Sequence, residues 1–214
     1  MERLIQDTIA YVKAQLATAE AGHDWQHVQR VYRLSMALAE EESADKLIVA
    51  LSALLHDVAD AKFHGGDESR GPALADSFLA KQQLLAEDRE HVVNIIRFMS
   101  YKGGHNEGKF YSKEFAVVRD ADRLDALGAI GIARAFHYGG FKNRALYNPE
   151  IAPQPGQSRE AYKNSEAPTL NHFYEKLFLL RDGMLTASGK RMAEQRHAFM
   201  EQFVEQFKRE WHGD

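Results

Sequence analysis

Apolar residues recur along this chain at the three- and four-residue spacing of an α-helix, with no convincing strand alternation. Leu4, Ile5, Ile9, Val12 and Leu16 mark a first amphipathic helix. Val28, Val31, Leu34, Ala37 and Leu38 mark a second, entered after the break at Ala21-Gly22. Leu47, Ile48, Leu51, Leu54, Leu55 and Val58 form the strongest stripe of the N-terminal half, with Ser43 as its expected N-cap. The same spacing predicts helices over 72–85, 89–99, 113–127 and 170–180. A final helix over 189–211 carries Met192, Phe199, Met200, Phe203, Val204, Phe207 and Trp211 on one side, with Thr186 or Ser188 to cap its start. There is no internal repeat, and the expected fold class is all-α.

One segment breaks the pattern. Residues 139–168 hold four of the five prolines together with Gly139, Gly140 and Gly156, which argues against a continuous helix. The expectation is an irregular loop, either a surface excursion or a substrate-binding lid. It is too poor in apolar periodicity to be a second domain, so residues 1–214 read as one domain.

Composition narrows the chemistry. With 44% apolar and 27% charged residues, the 214-residue chain resembles an ordinary globular protein. A net charge of -4 argues against broad capture of nucleic acid. No run approaches the roughly eighteen apolar residues of a membrane span, and the N-terminus lacks a signal-peptide pattern. These features lead to the expectation of a soluble, cytoplasmic protein with no membrane partner and an open oligomeric state. The absence of cysteine excludes thiolate metal sites, so any metal sits on histidine and carboxylate.

Against that background the pair His56-Asp57 stands out, at the end of the apolar run Leu-Ile-Val-Ala-Leu-Ser-Ala-Leu-Leu over 47–55. An imidazole beside a carboxylate is hard to place on a core helix unless both bind one cation, and such donors suit an ion that activates water. Upstream lies His23, in Gly-His-Asp-Trp-Gln-His over 22–27. Downstream, Asp120, Asp122 and Asp125 fall within six residues. Asp122 and Asp125 share a helical face and Asp120 points elsewhere. Carboxylates held against an apolar stripe need a partner, either a metal or the adjacent Arg119 and Arg123.

The order His, His-Asp, Asp resembles the HD-domain superfamily of metal-dependent phosphohydrolases, and one bacterial branch in particular. The words that carry the resemblance are Gly-His-Asp-Trp-Gln-His-Val-Gln-Arg-Val (22–31), Leu-Leu-His-Asp-Val-Ala-Asp-Ala-Lys-Phe (54–63) and Asp-Ala-Asp-Arg-Leu-Asp-Ala-Leu-Gly-Ala-Ile-Gly (120–131). It extends through Tyr138-Gly-Gly to the C-terminal helices. It implies an all-α fold with His23, His56, Asp57 and Asp122 as metal ligands. Asp122 is taken over Asp120 by matching Ala-Asp-Arg to the superfamily's stretch. It also implies a nucleotide substrate, with pyrophosphate release from a nucleoside or deoxynucleoside triphosphate as the favoured reaction.

The mixed nitrogen and oxygen donors suit manganese first, then zinc, iron, cobalt or nickel, with magnesium less suited. Asp60 follows His56 by four residues on the same side of the helix, which makes it the candidate proton-transfer residue. In the related guanosine-tetraphosphate hydrolases an acidic pair follows the His-Asp motif. Here Ala61 replaces its second member, which argues against that reaction. Lys62, Lys102 and Arg123 are candidate phosphate partners, Lys102 beside the glycines 103 and 104 that let backbone amides approach an anion. His27, one turn after His23, is a candidate phosphate contact or proton donor. His64, His91, His105 and His137 show no spacing that suggests a second ion. Two other readings are a di-iron oxidoreductase on the same fold and a non-catalytic nucleotide sensor.

Overall fold

Asp45 starts the helix on which the candidate site depends. In the computed structural model, which describes residues 1–17, 24–59, 67, 69–99, 110–157 and 165–214, its carboxylate accepts from the N–H groups of Leu47 (2.8 Å) and Ile48 (3.1 Å). Helix α3 then runs Lys46–Leu55. Ser43, the expected cap, instead closes helix α2 (Trp25–Glu42) in the left-handed conformation, with φ 53°. Both residue types cap helices. The turn between the helices spans 43–45, and its last polar residue is the one whose carboxylate reaches the new helix's free N–H groups.

Every regular element among the described residues is helical. Besides α2 and α3 these are α1 (Glu2–Gln15), α4 (Arg70–Leu79), α5 (Ala86–Met99), α6 (Lys113–Asp125), α7 (Gly128–Phe141) and α8 (Ala187–His212). The chain resolves into two compact units, Met1–Ala121 and Asp122–Asp214.

In the first unit α3 packs against α1, α2 and α5, and α4 packs on α5. Every residue from Ile48 to Leu55 is buried. A helix apolar on all sides belongs in the middle of a core, and that position fixes where its C-terminal end points. The start of α6 is tied into the same unit. Ser112 Oγ accepts from Phe115 N–H (3.0 Å), the Asp45 N–H donates to Glu114 (3.1 Å), and Lys113 Nζ donates to the Ser43 carbonyl (3.2 Å).

The second unit corrects three expectations. The sequence pattern predicts no helix over 128–141, yet α7 forms there although Gly128, Gly131, Gly139 and Gly140 are poor helix formers. Tertiary packing overrides propensity there. A Cβ on Gly131 would lie 2.2 Å from the Ala126 carbonyl oxygen, and one on Gly139 would lie 2.0 Å from Thr169 Oγ1. The glycines let the helix approach its neighbours closely. Gly139 and Gly140 are therefore helical, and the irregular segment begins at Lys142. The helix expected over 170–180 is a π turn at Phe173–Leu177 followed by a 3-10 helix at Phe178–Gly183. Thr186 does cap α8, accepting from Gly189 N–H at 3.0 Å.

Phe136 of α7 meets Phe173, Phe203 and Phe207 with ring centroids 5.8–5.9 Å apart, which forms the aromatic centre of this unit. The described part of the irregular segment is fastened to the same unit. Thr169 N–H donates to Ala145 O (2.9 Å), Leu170 N–H to Leu146 O (3.0 Å), and Asn171 Nδ2 to Ile151 O (2.9 Å).

Candidate metal centre

Two packed helices of the first unit bring three donor side chains together. Asp24 caps α2 by accepting from the His27 N–H at 2.9 Å, which sets His27 in the first turn. His27 begins the inward stripe His27, Val31, Ser35, Leu38, all of it buried. His56 stands at the C-cap of α3, with Asp57 next to it. The Nε2 atoms of His27 and His56 are 3.3 Å apart, and His27 Nε2 is 3.8 Å from Asp57 Oδ2. One donor atom from each of the three residues lies within 4.8 Å of the others.

The local hydrogen bonding fits a cation. His56 Nδ1 lies 2.8 Å from the Ala53 carbonyl oxygen. A carbonyl only accepts, so Nδ1 carries the proton and Nε2 presents its lone pair toward His27 and Asp57. A backbone carbonyl that fixes the tautomer in this way is the usual support of a metal-binding histidine. The end of α3 adds favourable field, since a helix C-terminus carries partial negative charge. Two imidazoles and a carboxylate form a mixed nitrogen and oxygen set suited to a divalent transition ion.

The other residues singled out in the sequence are placed as follows. His23, Asp60, Lys62 and Lys102 lie outside the described residues, as do His64 and His105. Asp120 is fully buried in α6, and Asp122 is half-buried two residues on. Arg123 donates from Nη1 to the Gly183 carbonyl at 2.9 Å. Asp125 is buried and paired with Arg134 at 2.7 Å. His91 Nε2 lies 2.8 Å from Ser112 Oγ and 3.7 Å from Glu114, at the start of α6. His137 is exposed on α7.

His27, a candidate phosphate contact or proton donor from the sequence, lies beside the His-Asp pair. The signal was its register, four residues before Val31 on the buried face of α2.

The HD domain family model matches residues 24–127, a span that includes all three clustered residues. Over its whole length the chain is similar to an HD-superfamily hydrolase from Bacillus thuringiensis, with 42% identity, a TM-score of 0.79, and 100% of this chain and 99% of that one covered. A Lactobacillus plantarum protein of known structure is 39% identical, with a TM-score of 0.83 over 100% and 99% of the two chains. YpgQ of Bacillus subtilis, an uncharacterized protein, is 36% identical over 94% of this chain and 90% of its own length. The structure of YpgQ in complex with ADP matches with a TM-score of 0.75 over 96% of this chain and 97% of that one. This chain belongs to the HD superfamily. HD domains bind divalent metals, and the His27, His56, Asp57 cluster lies within that domain.

Proposed function

We propose that this protein is a metal-dependent phosphohydrolase acting on nucleotides, with residues 1–214 working as one domain. The favoured reaction converts a nucleoside or deoxynucleoside triphosphate and water into the monophosphate and pyrophosphate. The observation that carries the reading is the cluster of His27, His56 and Asp57 in an HD-domain chain. The ADP complex of the relative YpgQ supports a nucleotide as ligand.

His27 Nε2, His56 Nε2 and a carboxylate oxygen of Asp57 would hold the ion, with Asp122 as the fourth ligand and Asp120 as its alternative. Manganese suits this set first. A divalent ion bound there supplies Lewis acidity, which makes water more acidic and offsets charge on the phosphoryl group. The protein's own part is to hold its donors in place before substrate arrives, through the Ala53 carbonyl on His56 and the Asp24 cap on α2. Asp60 takes the proton from the attacking water as the phosphorus–oxygen bond forms and the bond to the leaving pyrophosphate breaks. Lys62 and Lys102 are assigned to the phosphates. Arg123, the third phosphate candidate, also donates to the Gly183 carbonyl at the end of the 3-10 helix.

The test is a nucleotide screen with manganese, cobalt, nickel and magnesium, with phosphate, pyrophosphate and triphosphate products separated. Pyrophosphate release is expected from wild type. Asp57→Ala is expected to lose bound metal and turnover together while keeping its helical circular dichroism. ADP binding without any product release across all four metals would defeat the enzyme reading.

A further inference from the structure

The end of α7 carries chemistry that the metal centre does not use. Tyr138 and Phe141 remain 48% and 60% exposed, while Phe136, Phe173, Phe203 and Phe207 of the same unit pack together at its centre. Cations surround them. Lys142 Nζ lies 5.1 Å from the Phe141 ring centroid and 5.8 Å from that of Tyr138, and the Arg144 guanidinium carbon lies 5.9 Å from the Tyr138 ring. No acidic residue occurs between Asp125 and Glu150.

We propose that Tyr138, Phe141, Lys142 and Arg144 form a binding surface for a mononucleotide, with the base against the rings and the phosphates on the two cations. The inference stands on the second unit alone and does not depend on the metal centre.

A helix C-terminus ordinarily repels an anion, so its free carbonyls count against such a surface. Here three of the last four are occupied. Lys142 N–H donates to Tyr138 O (3.0 Å), Asn143 N–H to Gly140 O (3.0 Å), and Arg144 N–H to Gly139 O (2.9 Å). The side-chain cations then set the field. Arg144 uses one donor on the Ser165 carbonyl at 2.6 Å, which orients the guanidinium, and no other hydrogen bond from its guanidinium is seen among the described residues. The platform is built rather than loose, because Thr169 and Leu170 pair with Ala145 and Leu146, and Gly139 lies directly against Thr169.

Arg144 also acts, together with Lys176, on a neighbouring histidine. Burial, then the charges of Lys176 and Arg144, push the nearby His172 down to about 3. Exposed rings read any base by its face, and cations next to them read phosphate, so the combination selects an aromatic anion. A second copy of this chain is a poor occupant. A two-fold contact on this patch would set Lys142 and Arg144 against their own counterparts.

The experiment uses the full chain stripped of metal with chelator, so that binding is not read at the metal centre, and ADP as the probe. Wild type is expected to bind ADP in calorimetric titration. Lys142→Ala is expected to weaken it about tenfold, or ~1.4 kcal/mol, and to weaken pyrophosphate competition in step. Phe141→Ala is expected to weaken both ADP and adenosine while sparing pyrophosphate. No ADP binding by the metal-free protein, or unchanged affinity in both variants, overturns the proposal. Tighter binding of a single-stranded oligonucleotide or of anionic vesicles than of ADP also overturns it. If turnover is absent yet ADP binding responds to these variants, only the hydrolase reading fails. If Asp57→Ala abolishes turnover and these variants bind normally, only this inference fails.

Discussion

Helices α3 and α7 both end at residues with chemistry to offer, and they reach that arrangement by opposite routes. In α3 a run that is apolar except for Ser52 is buried on every side, so the core itself sets the direction of His56 and Asp57. In α7 four glycines weaken the helix, and close approach to Ala126 and Thr169 holds it. The first arrangement presents donors already oriented at the edge of the core, which suits a bound cation. The second presents rings and cations at the surface, which suits a ligand that arrives from solvent. Burial and exposure thus divide the two kinds of chemistry.

Substitutions sharpen that contrast. Leu54→Ala, in the fully buried face of α3, is expected to cost about 2–5 kcal/mol by leaving a cavity, read as a lowered urea midpoint. A loss below 1 kcal/mol would mean that α3 is not the rigid support described. In the second unit, His172 is held near 3 by burial and by Lys176 and Arg144, well below its ordinary 6.5. As pH falls below about 6.5 the unfolded chain takes up a proton that the folded chain refuses. Stability contributed by this group is therefore full above that pH and is lost toward pH 3, by roughly 2 kcal/mol at pH 5. His172→Gln is expected to flatten that part of the pH profile, and an unchanged slope would contradict the assignment. Gly139→Ala is the smallest effect. Alanine ordinarily stabilises a helix by ~1 kcal/mol over glycine, but here its methyl must displace Thr169. A net loss of about 1 kcal/mol is expected, and a net gain would show that the close approach is not needed.

These differences also explain what was legible in the sequence. Helix α3 was readable because its apolar run admits one placement, and His56-Asp57 stood out against that run. Ser43 and Asp45 were not separable by residue type, since both cap helices; the left-handed turn at Ser43 decided between them. Helix α7 was hidden because its glycines serve tertiary contacts that no local pattern shows. The π turn at Phe173–Leu177 carries helical periodicity, so the sequence could not tell it from an α-helix. In the candidate site, His23 and His27 lie four residues apart in a single motif word. The pattern of family-like words led to His23, and the inward register of α2 brings His27 to the pair. Asp60, Lys62 and Lys102 remain assignments from the sequence.

The account rests on His27, His56 and Asp57 acting together as metal ligands. Manganese stoichiometry and affinity, measured on wild type, His27→Ala and His23→Ala with folding monitored by circular dichroism, test that most directly. The account predicts about one ion per wild-type chain and at least a hundredfold weaker binding in His27→Ala, or ~2.7 kcal/mol. Metal affinity in His27→Ala equal to that of wild type would contradict it.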